Sequence, residues 1–124
     1  MKYLVDTCGW IEWISGGKLS HHFAKYLANI DYLVLSAINQ YELYQWICRE
    51  KNTILALEII GVTEQCQVIP VNTTIALDAV DFAQKYHLAM ADALIYATAQ
   101  SAQVQIITCD QHFKNLPDVE YFVK

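Results

Sequence analysis

The sequence has no long apolar run and few charged residues, which make up 17% of its 124 positions. No stretch reaches the roughly 18 consecutive apolar residues of a membrane span, so no contact with a membrane is expected. The apolar run that ends at Val5 is also shorter than the ~7–15 residues of a signal-peptide core. The sequence therefore predicts a cytoplasmic protein.

Proline, glycine and cysteine are scarce as well, with two, four and four residues respectively. The cysteines form no C-x-x-C pair, so they indicate small core side chains and not a disulfide framework or a zinc site. Gly16 and Gly17 are the clearest loop signal, and the chain has no repeat, linker or low-complexity tract. We therefore expect a single domain over residues 1–124, a length that can bury a core without disulfides.

Apolar residues, in contrast, make up 55% of the chain, with a mean hydropathy of +0.20 and a net charge of −5. Such an excess of apolar side chains predicts strands buried on both faces, surfaces covered by a partner, or both. The negative charge argues against broad, nonspecific affinity for nucleic acids, because phosphates are normally contacted by basic residues.

Short apolar runs alternate with longer stretches in which apolar residues recur at helical spacing. This alternation predicts an α/β fold with a mainly parallel sheet covered by helices on both sides, where ligands bind at the carboxyl ends of the strands. The predicted strands are Tyr3–Val5, Tyr32–Leu35, Gln67–Ile69, Gln105–Ile107 and a weaker one near Tyr121–Val123. The predicted helices are Cys8–Ser15, Leu19–Ala28, Ile38–Glu50, Asn52–Glu64, Thr73–Tyr86 and Met90–Ala102.

Four acidic residues occupy positions in this pattern that suggest a shared site. Asp6 follows the first predicted strand and Asp110 follows the fourth, so both are expected at the carboxyl edge of the sheet. Glu42 and Asp92 lie among apolar neighbours in helices, where an acid needs a cation, a hydrogen-bond donor or a metal. Each also has a simpler explanation: an N-cap for Asp6 and Asp110, a pairing with a basic residue for Glu42, and a helix-start acid for Asp92.

Convergence of these acids on one crevice would raise their proton affinity unless a cation were bound among them. Hard carboxylate oxygens favour Mg²⁺ or Mn²⁺ over zinc, and a bound cation would present positive charge to a phosphate group. The sequence therefore predicts a carboxylate-metal site. His112 lies beside Asp110 and could assist, although a lone loop histidine is more often structural or solvated.

Four short segments, taken in order, resemble the acidic motifs of PIN-domain nucleases, and most closely those of the VapC family of toxins in toxin–antitoxin systems. They are Val5-Asp6-Thr7, Tyr41-Glu42-Leu43, Met90-Ala91-Asp92-Ala93-Leu94-Ile95 and Thr108-Cys109-Asp110-Gln111-His112-Phe113. The resemblance implies a three-layer α/β/α fold and endonucleolytic cleavage of RNA with Mg²⁺ or Mn²⁺. It also implies a homodimer and a cognate VapB-type antitoxin that blocks the site.

The resemblance further implies a role for each acid. Asp6 and Asp92 would be direct metal ligands, while Glu42 and Asp110 would complete the acidic site, directly or through water. The hydroxyl groups of Thr7 and Thr108 would orient these carboxylates by hydrogen bonds.

The residues around the acids yield weaker expectations. Cys8 departs from the asparagine or serine that often follows the Asp-Thr pair in the family, which puts one supporting hydrogen bond in doubt. Phosphate contacts in the first half of the chain are expected from Lys18, Lys25, Arg49 and Lys51. The aromatic residues expected either in partner contacts or in the core are Trp10, Trp13, Tyr41, Tyr44 and Trp46.

Other functions on a similar sheet fit the residues less well. A phosphatase of the haloacid-dehalogenase type needs Asp-x-Asp at the first strand, but here the run is Asp6-Thr7-Cys8. A response-regulator receiver needs a lysine at a late strand end, and a P-loop needs its glycine-rich run, neither of which is present. A non-catalytic PIN-like binding module and a DNA-directed nuclease stay open, as do the identity of the RNA and the number of metal ions.

Overall fold

A five-stranded, fully parallel sheet lies at the centre of the computed structural model, which describes residues 1–124. The strand order across the sheet is β3-β2-β1-β4-β5. All four strands predicted with a clear pattern are present, so the predicted α/β fold class is confirmed. The strands are β1 (Tyr3–Val5), β2 (Leu33–Ser36), β3 (Gln67–Ile69), β4 (Gln105–Thr108) and β5 (Val119–Tyr121).

Six α-helices cover the sheet, and asparagine side chains begin two of them. Asn52 and Asn72 accept hydrogen bonds from Leu55 N and Ile75 N at 2.8 and 2.9 Å, which satisfies amide groups that have no partner within the helix. No helix combines the length and the apolar character needed to cross a bilayer. The helices are α1 (Thr7–Ser15), α2 (Ser20–Leu27), α3 (Ala37–Glu50), α4 (Thr53–Thr63), α5 (Thr73–Tyr86) and α6 (Met90–Ala102).

Two apolar cores lie on opposite faces of the sheet, because successive strand side chains point to opposite sides. Leu4 and Ile106 belong to the core covered by α5 and α6, whereas Val5 and Ile107 belong to the core covered by α1 to α4. All four side chains are at most 1% exposed. Strands buried on both faces explain why the apolar runs are continuous and not alternating.

The order of the strands places β1 beside β4, and the pairing of these two strands determines where the site lies. The chain proceeds outward from β1 through β2 to β3, then returns to place β4 on the other side of β1. Leu4 pairs with Ile106, and Val5 pairs with Ile107. A reversal of this kind leaves a crevice at the carboxyl ends of the strands. Asp6 directly follows β1 at that edge.

The fifth strand lies two residues earlier than predicted, at Val119–Tyr121 instead of Tyr121–Val123. Val119 and Tyr121 are partly buried while Glu120 between them is exposed, an alternation typical of an edge strand with one covered face. The pairing with β4 ends where Phe122 N donates to Thr108 O at 2.9 Å. The apolar Phe122 and Val123 therefore extended the predicted strand beyond its true end.

Gly9, on α1, marks the closest approach of this helix to its neighbours. A Cβ atom there would lie 2.6 Å from Phe23 and 2.7 Å from Val5, whereas a Cβ at Gly61 on α4 would meet nothing within 4 Å. We expect Gly9→Ala to lower the free energy of unfolding by about 1–3 kcal/mol through overpacking. Gly61→Ala, the matched control, is expected to raise it by up to about 1 kcal/mol through helix propensity. Urea unfolding of both variants measures the difference, and equal effects would contradict it.

Candidate active site

All four acids singled out in the sequence line one pocket of about 260 Å³ at the carboxyl edge of the sheet. Asp6 lies at the end of β1, Asp110 two residues beyond β4, Glu42 on α3 and Asp92 in the first turn of α6. They come from both faces of the sheet and from its edge, so all three layers contribute to the pocket. The other lining residues are Thr7, Cys8, Ile11, Gln45, Trp46 and Arg49.

Asp6 is the most constrained of the four, with only 3% of its surface exposed. Its Oδ1 accepts hydrogen bonds from Thr7 N at 2.9 Å and from Asn39 Nδ2 at 3.3 Å. Its Oδ2 accepts from the Thr108 hydroxyl at 2.9 Å. Asp6 therefore caps α1 and faces the pocket at the same time, so the cap explanation and the site explanation describe the same side chain.

The Thr7 hydroxyl joins Glu42 to this network. It donates to Glu42 Oε1 at 2.8 Å and accepts from Asn39 Nδ2 at 3.0 Å. Glu42 is partly buried and forms no ion pair with a lysine or arginine. The hydroxyl of one threonine thus fixes the orientation of the helical acid relative to Asp6.

The segment after β4 is organised by the Thr108 hydroxyl, which accepts from Asp110 N at 2.9 Å. Asp110 in turn caps a short 3-10 turn by accepting from His112 N at 3.0 Å. Cys8 takes part as well: its Sγ lies 3.2 Å from the Thr108 hydroxyl and accepts from Cys109 N at 3.2 Å. The cysteine therefore makes hydrogen bonds in the place where the family often has asparagine or serine.

His112 lies between the two remaining acids. Its Nδ1 is 3.0 Å from Asp110 Oδ1 and 3.3 Å from Asp92 Oδ2. One ligand atom from each of these three residues lies within 4.8 Å of the other two. The sequence predicts only an assisting role for this histidine. In the structure it is the nearest cationic group to the acids when its ring is protonated.

Burial and the charges of neighbouring carboxylates raise the pKa values of three of the acids, Asp6, Glu42 and Asp92. Burial raises the pKa of Asp6 to about 7, against hydrogen bonds from Thr108 and Thr7, and Asp110 and Glu42 raise it further. Burial also raises the pKa of Asp92 to about 6, where Asp110 adds to the shift and His112 opposes it. The pKa of Glu42 is raised by burial and by Asp110, against the hydrogen bond from Thr7.

These shifts indicate a pocket whose carboxylates are buried with too little positive charge beside them, and a divalent cation fits it. The lining contains four carboxylates and one basic side chain, Arg49, whose Nε lies 3.5 Å from the exposed Glu50 on the same helix. Carboxylate oxygens are the donors that Mg²⁺ and Mn²⁺ prefer. The donor set of this pocket is therefore suited to a hard cation.

Asn39 is the residue that sequence reasoning missed. Its Oδ1 accepts from Ser36 N at 3.0 Å, while Ser36 Oγ accepts from Ile38 N, so the two side chains form a capping box at the start of α3. The Nδ2 of the same asparagine donates to Asp6 and Thr7. The signal in the sequence is Ser-x-x-Asn at the start of the predicted helix, with Asn39 one turn ahead of Glu42.

The structure also separates the expected contact residues. Arg49 lines the pocket, whereas Lys18, Lys25 and Lys51 do not. Of the aromatic residues, Trp10 belongs to the core and is 2% exposed. Trp46 packs against the same core and also lines the pocket. The exposed members of the set are Trp13, Tyr41 and Tyr44.

A family model for the PIN domain matches residues 3–119 of the chain. The protein belongs to the PIN domain family. The match covers all four acids and nearly the whole described chain, so the predicted family is confirmed. A comparison with curated proteins finds no match.

Solved structures that include toxin–antitoxin complexes have the same fold. A toxin–antitoxin complex from Klebsiella pneumoniae has a chain with a TM-score of 0.82 and 24% identity, with 96% of each chain covered. DNA-bound VapBC from Salmonella typhimurium gives a TM-score of 0.75 at 20% identity, covering 98% of this chain and 97% of that one. VapC20 of Mycobacterium tuberculosis, a toxin that cleaves the sarcin-ricin loop, gives 0.69 at 17% identity, covering 84% and 85%. At these identities the likeness establishes the shared fold.

The raised pKa values predict that the metal-free protein loses stability as pH rises. Because the folded state holds protons on Asp6 and Asp92 up to about pH 7 and 6, above their ordinary value of 3.8, it binds more protons than the unfolded chain in that interval. Stability contributed by these groups is present below pH 4 and is lost by pH 7 to 8. Thermal unfolding in chelator from pH 5 to pH 8 measures the trend.

Asp92→Asn is expected to raise the stability of the metal-free protein at pH 8 by about 1 kcal/mol, or roughly 3–5 °C in Tm. The gain from removing a repelled, partly buried charge exceeds the roughly 0.3–1 kcal/mol lost at the helix N-terminus. The exposed Asp78 on α5 is the matched control, and Asp78→Asn is expected to change Tm little. A lower Tm for Asp92→Asn would contradict the repulsion.

Proposed function

We propose that this protein is a metal-dependent endoribonuclease that acts as the toxin of a toxin–antitoxin pair, with residues 1–124 forming one PIN domain. The observation that carries the proposal is the meeting of Asp6, Glu42, Asp92 and Asp110 in one pocket without lysine or arginine partners. Family membership supports it. The likeness to VapC20, a sarcin-ricin loop cleaving toxin, is consistent with a nucleic-acid substrate.

The side chains divide the work of such a site between them. Asp6 is held by four hydrogen bonds, one of them a long one from Cys8 Sγ, and Glu42 by one, so each can present an oxygen in a fixed direction without moving. Asp92 and Asp110, which are partly exposed, supply the more accessible oxygens. A divalent cation bound there, Mg²⁺ or Mn²⁺, supplies an activated water and neutralises phosphate charge.

Substrate binding is assigned to the side of the pocket formed by α3. Arg49 is the one basic side chain in the lining, which suits it to contact a phosphate beside the acids. Trp46 lies in the same lining and offers an aromatic surface on which an unpaired base can stack. This combination favours single-stranded or loop RNA over duplex, whose bases are not free to stack.

A non-catalytic binding module is the second candidate, and the geometry argues against it. A protein that only binds gains nothing from four mutually repelling acids, which cost stability in the absence of a cation. Their retention, together with the hydrogen bonds that hold two of them, favours catalysis.

The partners proposed are a VapB-type antitoxin and a second copy of the chain. The structure from Klebsiella pneumoniae is a toxin–antitoxin complex. The structure from Salmonella typhimurium is VapBC bound to DNA. An apolar groove of about 530 Å³ between α5 and α6, lined by Val80, Met90 and Leu94 among others, offers a surface for the second copy. The cytoplasm stays the predicted compartment.

Cleavage of RNA is the direct test of the proposed function. With Mn²⁺ or Mg²⁺, purified protein is expected to cut RNA, and excess chelator is expected to stop it. Asp92→Asn is expected to lower the cleavage rate by at least about a hundredfold, because it removes a direct metal ligand. Loss of a group that only orients a ligand lowers activity by less. Gel analysis of a labelled RNA containing loops gives the rates, and circular dichroism checks the fold.

Asp78→Asn serves as the matched control, because it removes one negative charge from an exposed position on α5. It is expected to cleave at the wild-type rate. Equal cleavage by the Asp92 and Asp78 variants, or cleavage in chelator, would refute the metal-dependent nuclease.

The proposed dimer is tested by a charge in the apolar groove. Val80→Glu is expected to convert the protein from dimer to monomer in light scattering, because an unpaired charge cannot be buried there. Leu57→Glu places the same charge on the exposed face of α4 and is expected to leave the dimer intact. If the wild-type protein is monomeric in light scattering, the proposed dimer is wrong.

A further inference from the structure

The tightest cluster of possible metal ligands in the chain contains a nitrogen. Ligand atoms of Asp92, Asp110 and His112 lie within 4.8 Å of one another, and no other group of three acids, histidines or cysteines does so. Asp6, by contrast, is outside this cluster, and both of its oxygens already accept hydrogen bonds. A cation position between Asp92 and Asp110 is therefore bordered by an imidazole ring.

The position of His112 is fixed by the turn that carries it. Its backbone N donates to Asp110 Oδ1, and Phe113, the next residue, is fully buried in the core beneath α6. The ring itself is 69% exposed on its outer side, while Nδ1 faces the two carboxylates. A buried anchor and a backbone hydrogen bond thus hold one ring nitrogen beside two of the carboxylates that line the pocket.

We propose that His112 Nδ1 is a ligand of the metal ion together with Asp92 and Asp110, and that this nitrogen makes the site prefer Mn²⁺ to Mg²⁺. The inference rests on the proposed metal-dependent function and names the ion that the site selects. The neutral ring can carry its hydrogen on Nε2, which faces solvent, and this leaves the Nδ1 lone pair free for the ion.

The preference follows from the chemistry of the two ions. Mg²⁺ dehydrates reluctantly and is bound almost entirely by oxygen, so a histidine adds little to its affinity. Mn²⁺ shares the carboxylate preference of Mg²⁺, but as a transition-metal ion at the start of the Irving–Williams order it gains more from an added imidazole nitrogen than Mg²⁺ does. Four carboxylates alone would hold either ion, and the ring nitrogen is what separates them.

Binding of Mn²⁺ and Mg²⁺ alone to the purified full chain tests the assignment without any measurement of cleavage. By calorimetry, His112→Gln is expected to weaken Mn²⁺ binding by at least about tenfold. Its Mg²⁺ affinity is expected to stay within about twofold. His21→Gln, on the exposed side of α2, is the matched control and is expected to bind both ions as the wild type does.

Pulsed electron paramagnetic resonance gives a second readout. Mn²⁺ bound to the wild-type protein is expected to show coupling to a histidine nitrogen that changes on ¹⁵N-histidine labelling and disappears in His112→Gln. If Mn²⁺ binds without nitrogen coupling and His112→Gln binds as tightly as the wild type, the histidine assignment is wrong while the nuclease proposal stands. If the wild-type protein binds neither ion, the proposed metal-dependent function fails and the assignment fails with it.

Discussion

The parallel pairing of β1 with β4 is the constraint on which the candidate site depends. It places the end of β1, where Asp6 lies, beside the end of β4, where Thr108 donates to Asp6 Oδ2. Residues 102 positions apart are joined by this one hydrogen bond. Helices α3 and α6 lie on opposite faces of the sheet. From there, α3 brings Glu42 and α6 brings Asp92 to the same edge of the sheet.

Repulsion between the acids is balanced by neutral hydrogen-bond donors and not by lysine or arginine side chains. Thr7, Thr108 and Asn39 donate to the carboxylates, which orients them and leaves their negative charge in place. A lysine or arginine at those positions would stabilise the fold more, but it would also take the place of a cation. The site is thus organised at a cost in stability, as is common at functional sites.

The strands and the four acids of the pocket could be predicted from the sequence, because both depend on short-range patterns of residues. Apolar runs marked the strands, and acids at a strand end or on an apolar helical face marked the pocket. The contribution of Asn39 was not accessible in the same way, since its amide reaches Asp6 only after β1 and β2 have paired. The position of His112 depends on the turn after β4, whose geometry is set by Asp110 and the burial of Phe113. The end of β5 was misjudged because Phe122 and Val123 are apolar without being part of the ladder.

The central place of β4 has a consequence for a chain that is still being synthesised. The strand that completes the pocket begins at Gln105, and Asp110 and His112 follow it, so these groups emerge from the ribosome after Asp6, Glu42 and Asp92. Until β4 inserts beside β1, Asp6 lacks the hydroxyl that holds one of its oxygens. A partly made chain that lacks β4 therefore holds an incomplete set of acids, and the pocket is complete only after this strand has inserted.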